Sequence, residues 1–181
     1  MQAGNATGFP RTVVSMAEVL AADAELVLAF LNSLDVETGA DEFRDLPAYA
    51  AWLRTSGLPG PPSEDDLAAA QRLRAGLRAA VGDPARDAGS PGAAGLAVPV
   101  RVGLDAGGRP SLLTDDPLGA VAAAAVALAG DGRWERVKIC PADDCRWAFY
   151  DQSKNRSRHW CSMAECGAWA KSRAFRRRHR G

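Results

Sequence analysis

Histidine is nearly missing. The two present, His159 and His179, leave the first 158 residues with no imidazole to serve as a general base. A glycine-rich phosphate loop and a His-Glu-x-x-His helix are missing too, so no catalytic constellation is legible and the chain is expected not to be an enzyme. Long apolar runs are also lacking. The alanine-rich stretch from Val121 to Ala129 stops at Gly130, well short of the roughly 18 apolar residues that a bilayer requires. No membrane partner is expected. The opening MQAGNATGFPRTVVSMAEVLAADAE shows no basic leader followed by a sustained apolar stretch and a small-residue cleavage site, which points to a cytoplasmic protein. Lysine is sparse, with Lys138, Lys154 and Lys171 against abundant arginine and alanine, a composition that suggests a GC-rich bacterial genome.

Cysteine is absent up to residue 139, and then all four fall together as Cys140, Cys145, Cys161 and Cys166. They form two C-x4-C pairs. Zinc takes four soft ligands in a tetrahedron at Zn–S distances of about 2.3 Å, and two short cysteine loops brought together by a hairpin supply that convergence. The expectation is one structural Zn²⁺, since four thiolates leave no open position for a reacting water. An iron–sulfur cluster, disulfides and free thiols are the alternatives; disulfides are disfavoured in a chain without an export signal. His159 and His179 are the other candidate ligands. Metal binding contributes on the order of 10–16 kcal/mol in comparable modules, enough to fold a segment of about 45 residues that has little apolar mass of its own.

The formal net charge is zero, but its halves are not neutral. Residues 133–181 hold 13 of the 22 Lys and Arg and 5 of the 22 Asp and Glu, a surplus of +8, which the first 132 residues mirror at −8. Loading the four thiolates with one Zn²⁺ lowers the C-terminal surplus to +6. A basic segment of this strength meets an anion, most often nucleic acid or a membrane surface, or else lies on the acidic part of its own chain. The chain therefore divides into an acidic region, 1–132, and a basic one, 133–181.

The acidic region reads as helices with one hairpin. Ser15 and Glu18 have capping-box spacing, and Leu20, Ala24, Val27, Leu28 and Leu31 follow at helical intervals. Pro47 opens a second helix carrying Tyr49, Trp52 and Leu53 and stopped by Gly57. Ser63 and Asp66 cap a third with Leu67, Ala70, Leu73, Leu77 and Val81 as its stripe, and with Arg72, Arg74 and Arg78 expected to offset Glu64, Asp65 and Asp66 or to face solvent. Gly82–Gly95 reads as a mobile loop. VPVRVGL and PSLLT flank DAGGR as a hairpin, and a fourth helix runs from Pro117, after Asp116, to Gly130 with Val121, Ala125 and Leu128 inward. The fold class is mainly α with a small β-hairpin (α+β): a helical N-terminal domain plus a small C-terminal zinc-finger domain.

From Val137 to Arg178 the sequence VKICPADDCRWAFYDQSKNRSRHWCSMAECGAWAKSRAFRRR resembles the CGNR zinc-finger family of bacterial proteins. The four cysteines, the centre WAFYDQSKNRSRHWCS and the AK after the last cysteine carry the resemblance. It implies a DNA-binding finger behind an N-terminal domain called ABATE, associated with stress-induced transcription regulation. The stretch AFLNSLDVETGADEFRDLPAYAAWLRTSGL is similar to that domain. One departure stands out: Cys166 and Gly167 are followed by Ala168 and Trp169, where the family name specifies Asn and Arg.

Placed on a helix from Cys166, the residues Arg173, Arg176, Arg177 and Arg180 share an arc of about 100° that also contains Trp169. Ala168 and Phe175 fall opposite, toward the expected zinc module. Lys171 lies on the same helix, and Lys154, Arg156 and Arg158 alternate with Ser153, Asn155 and Ser157 between the cysteine pairs. Arginine and lysine engage phosphates, arginine also reads guanine edges, and an indole stacks on bases. These nine cations and aromatics are the candidate nucleic-acid residues, with Trp147, Phe149, Tyr150 and Trp160 expected to fill the core around the metal. The reading is a transcription regulator that binds DNA through its finger, with an N-terminal domain for sensing or dimerisation; an RNA-binding protein and a zinc-stabilised protein-interaction module are the rivals. A homodimer would suit two half-sites, though no heptad pattern marks an interface. A small-molecule effector is not legible.

Overall fold

The computed structural model describes residues 16–83 and 97–179, without the side chains of 16–20, 174 and 177. Ser15 of the first capping box, most of the loop expected at 82–95 and Arg180 lie outside the described residues. Helix α1, Met16–Leu31, leads into a loop and then α2, Leu46–Thr55. The Asp45 carboxylate accepts from the Ala48 N–H and Pro47 sits in the first turn, so helix entry is fixed by residues whose chemistry suits it. Helix α3, Glu64–Ala80, opens on the full capping box: Ser63 accepts from the Asp66 N–H while Asp66 accepts from the Ser63 N–H. Strands β1, Arg101–Leu104, and β2, Pro110–Leu113, pair antiparallel around the Asp105–Arg109 turn, where Gly108 takes φ +77°. Helix α4, Pro117–Gly130, starts at the cap Asp116, whose carboxylate accepts from the Leu118 and Gly119 N–H groups.

Two apolar clusters hold these elements. In the first, Phe43 meets Tyr49, Trp52 and Phe30 with ring centroids 4.9, 5.1 and 5.4 Å apart, and Leu53, Leu67, Leu73, Leu118 and Val121 close around them. Edge-on and tilted rings at these separations add to plain burial. In the second, Ala24, Val27 and Leu31 of α1 pack on Ala124, Ala125 and Leu128 of α4. The small alanine side chains let the two helices approach closely, and the alanine-rich α4 has high intrinsic helicity besides.

Two expected surface arginines are instead buried. Arg74 donates to both oxygens of Asp41, at 2.6 and 2.8 Å, and to Ser33 Oγ, while its guanidinium lies 4.6 Å from the Phe43 ring centroid. Arg78 donates to Asp83 Oδ2 (2.6 Å), the Leu31 carbonyl (2.7 Å) and the Arg146 carbonyl (2.8 Å). Neither pairs with the acidic first turn of α3. Their partners come from other segments, so helical spacing within α3 carried no signal of them; only Arg72 is exposed as expected.

The C-terminal region adds a second two-stranded sheet, β3, Val137–Ile139, and β4, Ala148–Tyr150, reached through a short 3-10 turn at Trp134–Arg136. A π-turn at Met163–Gly167 leads into α5, Ala168–Arg178. The β3–β4 hairpin is packed on the helices: Val137 and Ala148 are buried in the α1–α4 cluster. Asn32 acts as a substitute strand partner, its amide donating to the Ala148 carbonyl (2.9 Å) and its side-chain oxygen accepting from the Ala148 N–H (2.7 Å). The buried Asp83 carboxylate is shared by Arg78 of α3 and Arg146 of the hairpin loop, which links the two regions by charge as well. Among the described helices none is long and apolar enough to cross a membrane.

Candidate metal centre and basic surface

The β3–β4 hairpin carries the first cysteine pair in its loop: Cys140 follows β3, where its N–H donates to the Trp147 carbonyl (2.9 Å), and Cys145 follows a turn closed on the Ala142 carbonyl. The second pair flanks the π-turn. Ser162 caps that turn by accepting from the Glu165 N–H, which places Cys166 one turn beyond Cys161. The four Sγ atoms lie within 4.8 Å of one another, with Cys145–Cys161 at 3.5 Å and Cys161–Cys166 at 3.7 Å. A tetrahedron of sulfurs at zinc-bond length has edges of about 3.8 Å, whereas a disulfide needs about 2.05 Å. The cluster is therefore shaped for a metal, and none of the four cysteines forms a disulfide.

The protonation chemistry agrees. Burial and neighbouring thiols push Cys161 up, and push Cys166 up to about 12, because a second thiolate cannot form beside the first without a cation. At Cys140 burial also acts upward, but N–H donation from Cys161 and Ala142, with help from the thiols of Cys161 and Cys166, outweighs it, and the net shift is downward. A divalent ion held by the four sulfurs would bring the raised thiols down. His159 is exposed and meets Trp160 edge-on at 4.7 Å, and His179 stacks on Phe175 at 4.0 Å; neither belongs to the cluster.

The family model for the CGNR zinc finger matches residues 136–179, and that for ABATE, described as "Putative stress-induced transcription regulator", matches residues 24–132. The chain belongs to the ABATE family. Its CGNR finger follows the ABATE region in the order the sequence motifs implied, and four clustered cysteines in a CGNR finger fit one structural Zn²⁺, as expected from their spacing. No curated protein matches the chain. The departure from the CGNR motif falls on the surface. Gly167 is buried, and a Cβ there would lie 2.9 Å from Met163 Sδ and 3.3 Å from Trp160 Cδ1, so the glycine fits a crowded site. Ala168 and Trp169, by contrast, are exposed.

Around the metal centre of the ABATE protein, Phe149 is buried with Cys140 and Ala142, and Trp160 packs beside them. Two expected core aromatics lie elsewhere: Trp147 is 41% exposed, and Tyr150 packs on the α1–α4 cluster. Ala168 and Phe175, expected to turn inward, are both exposed, Phe175 at 56%; among the described α5 side chains only Ala170 is even half-buried.

The loop after β4 is organised by a residue that sequence reasoning missed. Asp151 is fully buried; its carboxylate accepts from Lys138 Nζ (2.6 Å), the Ser153 N–H (2.9 Å) and the Arg158 N–H (3.0 Å). Burial acts to raise its pKa, but these donors win and hold the carboxyl well below the usual range. Lys138 Nζ also donates to the Arg156 and Arg158 carbonyls, tying both ends of the loop to β3. The Asp-x-Ser order was the one available signal, as a local turn motif.

Of the candidate nucleic-acid residues, Lys154, Arg156, Lys171, Arg173 and Arg176 are exposed, as are Trp169 and the neighbouring Arg178. Arg156 reaches Glu135 at 3.6 Å. Arg158 is engaged inside the finger: it donates to the Trp160 carbonyl (2.9 Å) and the Cys161 carbonyl, and lies over the Phe149 ring at 4.9 Å. Arg173 and Trp169 border a cleft with Cys145, Cys161 and Cys166. Lys171, Arg176 and Arg178 form a separate surface with Ser172 and Phe175. The side chain of Arg177, like Arg180, lies outside the described residues.

Proposed function

We propose that this ABATE protein regulates transcription by binding DNA through its C-terminal finger, with the helical region serving to sense or to dimerise, and that it is a binding protein rather than an enzyme. The observation that carries this reading is the exposed set Lys154, Arg156, Lys171, Arg176 and Arg178 on a scaffold shaped to close around zinc. Phosphate contacts from such side chains fix a protein on the duplex, and the ordered Lys138–Asp151 loop presents two of them without further folding cost. The Arg156–Glu135 pair is exposed and weak, so a phosphate can replace it. In this reading Arg158 holds the loop's shape instead of meeting phosphate. Trp169 and Arg173, which border the cleft, in this reading stand apart from the five phosphate contacts.

Fluorescence anisotropy of the full, zinc-loaded chain on duplex DNA across a salt series tests the proposal. Five phosphate contacts predict a slope of log affinity against log salt of about −4.5. A flat salt dependence would remove nucleic acid as the partner. Single-stranded RNA is the competitor to include, because preferential RNA binding through stacking on exposed aromatics would replace DNA by RNA.

A further inference from the structure

A cleft of about 680 Å³ lies between the loop after α1 and the finger, against the metal centre itself. Its lining combines two exposed indoles, Trp147 and Trp169, with the carboxylates Asp35, Glu37, Asp144 and Glu165 and a single guanidinium, Arg173. Cys145, Cys161 and Cys166 complete the wall, and a tetrathiolate zinc centre carries two further negative charges. The cleft is thus strongly anionic in a segment whose total charge is strongly positive. Phosphate is excluded there by repulsion.

We propose that this cleft binds a small organic cation of the quaternary-ammonium class. Indole faces attract such cations through their quadrupole, and the attraction grows when carboxylates surround the site and water is partly displaced. Among the described residues no ion pair involves Glu37, Asp144 or Glu165, so their charge is not already spent within the protein. Asp35 is already ordered by its own loop: Thr38 Oγ1 and the Glu37 N–H donate to it, and these bonds, led by Thr38, hold its carboxyl below the usual range. The volume lies within the range of small-molecule sites. Because Asp35 and Glu37 come from the helical region and Trp147, Asp144 and Trp169 from the finger, an occupant would touch both regions at once. The proposal does not depend on DNA binding.

The test is calorimetric and uses the full zinc-loaded chain without DNA. Choline and tetramethylammonium are titrated against 3,3-dimethylbutan-1-ol, the neutral isostere of choline. Saturable binding of both cations with the neutral isostere at least tenfold weaker is expected. Trp169→Ala and Trp147→Ala should each weaken choline binding about tenfold, and Glu37→Gln combined with Asp144→Asn about fivefold, with zinc content unchanged in every variant. Equal binding of the isostere, no saturation by either cation, or unaltered affinity in both tryptophan variants would overturn the proposal. Phosphatidylcholine vesicles present the same headgroup; cosedimentation with vesicles in the absence of free-choline binding would overturn the assignment to a free solute.

Discussion

The helical region and the finger are built on opposite economies of material. The first surrounds Phe43 with three aromatic rings and a shell of leucines, so many residues share the task of specifying one packing. Among the described residues the finger buries only Cys140, Ala142 and Phe149 in a cluster of its own and lends Val137 and Ala148 to the helices. Its shape rests on a few irreplaceable points: four sulfurs, the Asp151 carboxylate and the Asn32 and Asp83 anchors. A redundant core loses stability by increments, whereas a structure held at points fails when one is removed.

Metal removal should therefore separate the two regions most sharply. Chelation, or Cys145→Ser, is expected to unfold the finger while the Phe43 cluster survives, because no finger residue belongs to that cluster. Far-ultraviolet circular dichroism should keep most of its helical signal as zinc content falls to zero; collapse of the whole signal would contradict the division. Next in size is Asp83→Asn, which takes the shared carboxylate from the buried Arg78 and Arg146 and should cost roughly 3–5 kcal/mol in denaturant unfolding. A loss under 1 kcal/mol would show that the two guanidiniums are adequately held by other acceptors. Asn32→Ala removes both bonds to Ala148 and is expected to cost about 2 kcal/mol, with faster amide exchange in β4 but not in α2.

The acid response probes the helical side of the comparison. Burial acts to raise the Asp41 pKa, but the Arg74 side chain, the Phe43 N–H and the charges of Arg74 and Arg44 lower it on balance. A depressed carboxyl contributes stability above its unfolded pKa and loses that contribution as pH falls through the folded one. Between about pH 6 and about pH 3 the native protein should thus lose more stability than Asp41→Asn, with zinc loss common to both. Equal losses would remove Asp41 as a source of acid sensitivity. The smallest expected effect is on the surface: Lys171→Ala or Arg176→Ala should each make the DNA salt slope shallower by about one unit without altering zinc content.

Sequence reading succeeded where the signal is local. The Ser63–Asp66 box, Pro47 in the first turn of α2, and Asp116 before Pro117 each mark a helix start within a few residues, and all three helices begin there. The cysteine spacing exposed the metal centre for the same reason: its ligands lie in two short segments. What remained hidden depends on distant partners. Arg74 finds Asp41, Arg78 finds Asp83 and the Arg146 carbonyl, and Lys138 finds Asp151, none of which helical or strand periodicity can announce. Arg158 shows the limit from the other side, since an arginine within a polar basic stretch is indistinguishable by sequence from one bound to its own loop's carbonyls.

X-ray absorption at the zinc edge of the full chain, purified without chelator and paired with elemental analysis, tests the central claim most directly. One zinc per chain surrounded by four sulfurs at about 2.3 Å is the predicted result. A nitrogen or oxygen in the first shell, or clearly less than one equivalent of metal, would contradict it.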